Sequence, residues 1–222
     1  MGRNNSNRLG SNKAEPAETP PMSLLDFVAP TEMVDIPSKG KYYPDGHPLK
    51  GKESVEIRYM TAKDEDILTN QSLIRKGIAL DRFLQSVIID KSINVDDLFI
   101  GDKNALLIAA RATAYGAGYD AELKCPQCSV TNELVFDIAN PRVVERRPVS
   151  GLNVSENDNG TFKTTLPIAK FEVHFRLLTG RDENYLAKYI ADNIENEGIS
   201  LSYEQIRLIT TMIQEVDDKE II

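Results

Sequence analysis

Residues 53–60, ESVEIRYM, alternate apolar and polar, with Val55, Ile57 and Tyr59 on one side, and this period of two predicts a strand. Thr61 then opens a helix. In TAKDEDIL a hydroxyl cap precedes acidic residues in the first turn, where the helix dipole favours negative charge. ALDRFLQSVIID (79–90) carries Leu80, Phe83, Leu84, Val87 and Ile88 at helical spacing and predicts a second helix. KNALLIAARATAYG (103–116) is apolar nearly all round and stops at Gly116, which predicts a third helix, the most buried of the chain. YDAELK (119–124) and ELVFDI (133–138) alternate again, with CPQCSVTN between them, so a β-hairpin is expected. KFEVHFRLL (170–178) predicts a strand, followed by helices near 180–196 and 202–216.

Between these periodic stretches the pattern breaks. Residues 1–22 are rich in Asn, Ser, Gly, Pro and Glu with almost nothing to bury, and predict a disordered tail. Residues 23–50 mix apolar points (Leu24, Phe27, Met33, Ile36, Tyr42, Tyr43) with Pro and Gly, which disfavours a long helix and predicts an extended arm with turns at 38–40 and 44–46. From 140 the chain turns polar and Gly/Asn-rich, a surface excursion with room for a small hairpin. The expected fold is α+β. A core domain at 51–140 contains a strand, three helices and a hairpin bearing a C-P-x-C turn, and a smaller strand–helix–helix unit occupies 141–222.

The two parts echo one another. VEIRYMTAKDEDIL (55–68) lies over VHFRLLTGRDENYL (173–186), matching Arg58 with Arg176, Thr61 with Thr179, Asp64–Glu65 with Asp182–Glu183 and Leu68 with Leu186. Strand-to-capped-helix junctions converge on such strings, because Thr followed by acids is what a helix start favours. A duplicated strand–helix unit is the alternative. On either account these acids are helix caps rather than catalytic groups.

Charge narrows the function classes. The net charge is −8 and the pI about 4.9, a balance that repels phosphate backbones and argues against a nucleic-acid binder. The N-terminal MGRNNSNRLGSNKAEP has no apolar stretch of the signal-peptide kind. ALLIAA (105–110), the longest apolar run, is far too short to span a bilayer, so no membrane association is expected. Two cysteines do not make a disulfide framework, and a reducing cytoplasm is the expected setting.

Candidate chemistry is sparse. Neither a phosphate-binding P-loop nor a dinucleotide glycine fingerprint occurs, and His47 and His174 stand apart from any nucleophile motif, so no enzyme activity is expected and no cofactor is required. The sharp feature is Cys125–Pro126–Gln127–Cys128, half of a structural zinc site. Structural zinc wants four protein ligands. His47 and His174 lie in separate segments, and a redox dithiol normally begins a helix rather than a hairpin loop. Two readings therefore stand side by side: a tight turn clasping the hairpin, or zinc shared with ligands of a second chain in a homo-oligomer.

Several strings taken together, DIPSKGKYYPDGHPL, IRYMTAKDEDIL, IIDKSINVDDLFIGDKNALLIAARATAYG and AELKCPQC, resemble in order and spacing the baseplate hub subunit or hub assembly chaperone family of T-even-like contractile-tailed bacteriophages. The resemblance spans roughly residues 33–140. Ser129 stands where the family often has Gly after the second cysteine. The resemblance implies a non-enzymatic tail assembly protein that promotes baseplate hub formation through contacts with hub proteins, in the host cytoplasm during virion assembly. A permanent structural subunit of the virion baseplate is the alternative, and a zinc-dependent nucleic-acid-binding module is a distant one. Phe27, Tyr42 and Tyr43 of the arm are the expected partner contacts, since rigid amphipathic rings suit interfaces. The competing expectation is that the two tyrosines fold back on the protein itself.

Overall fold

The computed structural model describes residues 29–139, 153–197, 212–216 and 219–220. The chain is a mixed α+β protein. Strand β1 (Thr31–Asp35) pairs antiparallel with β2 (Ser54–Arg58), and helices α1 (Ala62–Thr69), α2 (Gln71–Arg75), α3 (Ala79–Val87) and α4 (Ile100–Tyr115) follow. A short 3-10 turn, Val95–Asp97, separates α3 from α4. β3 (Gly118–Lys124) and β4 (Thr131–Asp137) form a two-stranded ribbon. The last sheet has the order β5-β6-β7-β8-β9, built from Val154–Glu156, Phe162–Thr165, Glu172–Phe175, Ile213–Val216 and Lys219–Glu220, with α5 (Gly180–Glu197) between β7 and β8.

One core is built from residues 36–110. Val55 and Ile57 of β2 face Phe83, Leu84 and Val87 of α3, and Leu106 and Ala110 of α4 complete it with Ile36, Tyr43 and Leu49 from the preceding loop. The expected arm is therefore not free. Its strand β1 covers β2, and its turns return to the core. Gly40 has φ +67, and a Cβ there would lie 2.4 Å from the Leu49 carbonyl oxygen, so only glycine lets these two turns touch.

Several sequence expectations change. Helix α4 is not buried all round. Leu106 and Ala110 are buried, as are Asp102 and Lys103 at its start, whereas Ile108 and Tyr115 are exposed. Alanine on every side hides the inward face from a periodicity argument. Leu80 of α3 is likewise exposed. Helix α2 is an addition, started by Asn70, whose side chain accepts from the Ser72 and Leu73 amides. The helix expected at 202–216 is contradicted at its end: Ile213–Val216 is a strand paired with β7, because the open edge of β7 offers it a ladder. Residues 1–22, Phe27 and 202–211 lie outside the described residues.

Buried polar groups join the two parts. Lys103 pairs with Asp81 at 2.6 Å and Glu183 at 2.8 Å. The Gly180 amide donates to the Leu98 carbonyl at 2.9 Å and the Ile100 amide to the Leu178 carbonyl at 3.0 Å. Gly160 (φ +79) stands against the Tyr42 carbonyl, where a Cβ would come within 2.5 Å of the oxygen.

Candidate functional site

The two matched strings of the sequence form the same set of bonds. Arg58, at the end of β2, donates through Nη1 to Asp64 Oδ2 at 2.6 Å and through Nη2 to Asp64 Oδ1 at 2.8 Å. Asp64 Oδ2 also accepts the Thr61 amide at 2.9 Å and the Thr61 hydroxyl at 2.7 Å. Arg176, just past β7, donates to Asp182 at the same 2.6 and 2.8 Å, and Asp182 Oδ2 accepts the Thr179 amide and hydroxyl, both at 2.9 Å. In each case the acid at the third helical position, in the first turn, caps its helix and grips the strand before it. Burial pushes the Asp64 carboxyl up, but hydrogen bonds from Arg58, Ser86 and Thr61 outweigh it and hold it well below the usual carboxylate range. Burial likewise raises Asp182, and its bonds from Arg176 and Thr179 win, leaving it lowered. These acids are structural clasps. Their signal in sequence is the spacing Arg-x-x-Thr-x-x-Asp, present twice.

Tyr43 is withdrawn from the surface. It is 1% exposed, its hydroxyl donates to Asp102 Oδ2 at 2.8 Å and accepts the Phe99 amide at 3.1 Å, and its ring stacks between His47 and Phe99. Burial pushes its phenol pKa upward, so it stays protonated. The expected partner contact through Tyr43 is thus corrected: the ring belongs to the core. Asp102 also accepts the Ser38 amide at 2.9 Å and the Ser38 hydroxyl at 2.5 Å, and this buried carboxylate explains why the loop returns. Tyr42 lies half-buried in the seam between the two parts, tilted on Phe162 at 5.2 Å, with its hydroxyl donating to Glu156 at 3.1 Å.

The cysteine turn sits at the far end of the β3–β4 ribbon. The loop is closed by the Cys125 amide on the Val130 carbonyl and the Ser129 amide on the Cys125 carbonyl, both at 2.9 Å. Ser129 takes φ +58, a left-handed conformation that glycine adopts more readily. Both cysteines are free thiols, Cys128 exposed and Cys125 partly so. Backbone amides of Cys128 and Gln127, then the Cys128 side chain, lower the Cys125 pKa by favouring its thiolate. His47 is occupied by Tyr43 and His174 contacts Glu172 at 3.1 Å, and among the described residues no three His, Cys, Asp or Glu side chains gather into a metal-binding group.

Two apolar surfaces stand outside the core. Cross-strand pairs Tyr119–Phe136, Ala121–Leu134 and Leu123–Asn132 share one face of the ribbon, and Tyr119, Leu123, Leu134 and Phe136 are all exposed. The turn between β6 and β7 carries Leu166, Ile168 and Phe171, with Ile168 94% exposed. The turn lies where the polar excursion expected after residue 140 meets the strand expected at 170–178, and its signal is LPIAKF (166–171), a short apolar island after a Gly/Asn-rich run.

The protein class follows from a comparison with known families. The chain matches the model of the T4 bacteriophage base plate protein family over residues 30–221. It belongs to that family, which gives it a structural or assembly role in the phage baseplate among other baseplate proteins. The match includes the second part, beyond the stretch that the resemblance in sequence covered. No curated protein and no solved structure matches it. No helix among the described residues is long and apolar enough to cross a membrane.

Proposed function

We propose that the chain is an assembly factor for the baseplate hub, acting through protein–protein contacts in the host cytoplasm and catalysing no reaction. The observation that carries this reading is the β6–β7 turn. Its backbone is closed by the Leu166 amide on the Phe171 carbonyl at 2.9 Å and the Lys170 amide on the Leu166 carbonyl at 3.0 Å. Ile168 and Phe171 project from this preformed turn into solvent. Burying one such large apolar side chain in a partner contributes about 1.5–3 kcal/mol, and a turn already ordered loses little entropy on docking. A factor of this kind covers apolar surface on a hub component until the permanent neighbour arrives. The acidic net charge of −8 keeps it off nucleic acid.

The second reading, a permanent subunit of the baseplate, is favoured by the family's description as a base plate protein and uses the same contact at fixed stoichiometry. Quantitative mass spectrometry of purified, DNA-filled virions and infected-cell lysate separates the two. Abundance in lysate with absence from particles supports the assembly factor, and a whole-number copy count in particles supports the subunit. The contact itself is tested by Ile168→Ser with Phe171→Ser, which should abolish hub formation at an unchanged melting temperature. Normal hubs with that double variant would remove the turn from the contact.

A further inference from the structure

We propose that two copies of this chain share one zinc ion, each contributing Cys125 and Cys128, with the apolar faces of their β3–β4 ribbons covering one another. The inference goes beyond a role in assembly and does not depend on it. It starts from ligand arithmetic. Structural zinc takes four protein ligands in a tetrahedron. The tip of this ribbon offers two thiols, and no third metal-binding side chain gathers with them among the described residues. A two-fold axis through the metal supplies the missing pair without any further sequence, because an isologous contact presents the same residues twice.

The ribbon itself gives the second, independent observation. A two-stranded ribbon is marginal alone in water and needs something against its apolar face. That face runs from Tyr119 and Phe136 at the base through Ala121 and Leu134 to Leu123, next to the cysteine loop. The opposite face carries Asp120, Glu122, Glu133 and Asp137 against Lys124, with Val135 as its one large apolar side chain. Two such faces repel, so like copies meet apolar face to apolar face. Two ribbons side by side about an axis along their length bring both tips to one point. The same movement that buries the leucines assembles four sulfurs. Each thiol gives up its proton on binding, so the site takes up zinc and releases protons to solvent.

The test uses the full chain, purified with zinc chloride and with chelator in parallel. Metal content is measured by mass spectrometry and molar mass by sedimentation equilibrium. The proposal expects one zinc for every two chains, a dimer that dissociates on chelation, and loss of both in C125S/C128S with an unchanged circular dichroism spectrum. Cobalt replacing zinc should give the intense visible bands of tetrahedral thiolate coordination. Leu134→Ser with Phe136→Ser on the ribbon face should weaken dimerisation at least tenfold. One zinc per monomer, a dimer indifferent to chelator and to the cysteine substitutions, or a zinc-free monomer would each overturn the proposal.

Discussion

The Arg58–Thr61–Asp64 and Arg176–Thr179–Asp182 clasps make the same bonds at nearly the same distances, yet they occupy different surroundings. The Asp64 side chain is 1% exposed and that of Asp182 is 13% exposed. The Ser86 hydroxyl, from α3, also donates to Asp64 Oδ1, and Arg58 Nη2 lies 3.3 Å from it. Among the described residues Asp182 has no such third partner. Identical local chemistry should therefore carry unequal weight. What a charge pair is worth depends on how much water its loss would let in, and not on its own geometry alone.

The largest expected effect follows directly. Asp64→Ala leaves the Arg58 guanidinium partly buried without its counter-ion and should cost about 3–5 kcal/mol, measured by urea unfolding. Asp182→Ala should cost about 1–2 kcal/mol, because water reaches Arg176 and screens it. Equal losses would mean that burial is not what separates the clasps. Ser86→Ala sharpens the point, since it reduces the first clasp to the bonds of the second. It should cost about 1–2 kcal/mol. If the remaining Arg58–Asp64 coupling, read from a double-mutant cycle, then still exceeds that of Arg176–Asp182, the residual is due to burial alone.

Acid unfolding tests the same comparison through protons. Both carboxyls are lowered in the folded state, so each contributes stability that is complete above the unfolded aspartate pKa of about 3.9 and is lost as pH falls through its folded value. Asp64→Asn should flatten the acid limb of stability against pH, and Asp182→Asn should flatten it less. An unaltered limb in Asp64→Asn would show that the first clasp does not govern acid sensitivity.

Which parts of this were legible from sequence follows a physical division. The two caps could be read because Thr and its acid lie three residues apart, and local bonds leave a spacing behind, whereas the grip of Arg58 and Arg176 on those acids shows only in the fold. The mixed α+β class and the strand at 54–58 could be read because a half-buried strand writes its period into the chain. Tyr43 could not be placed, since its partner Asp102 lies 59 residues away and nothing near the tyrosine records it. Strand β8 was equally hidden: its apolar spacing suits a helix, and only the edge of β7 makes it a strand. At the candidate sites the cysteines stood out from the start, whereas the exposed turn at Ile168 did not, because exposure is a property of the assembled fold.

The smallest effect is the one where the two clasps should stop differing. Thr61 and Thr179 each donate a hydroxyl hydrogen to their aspartate, at 2.7 and 2.9 Å, and each stands at the start of a helix. Valine in their place keeps the backbone amide bond and the side-chain shape but loses the hydroxyl, at a cost of about 1 kcal/mol in each case. The cap acts within one helical turn, so the surroundings that magnify Asp64 over Asp182 have little hold on it. Thermal unfolding of Thr61→Val and Thr179→Val should therefore show shifts of similar size. A much larger loss at Thr61 would mean that the hydroxyl, like the carboxylate it serves, is part of the buried charge network, and that the weight of the first clasp is shared by all its members rather than concentrated in one ion pair.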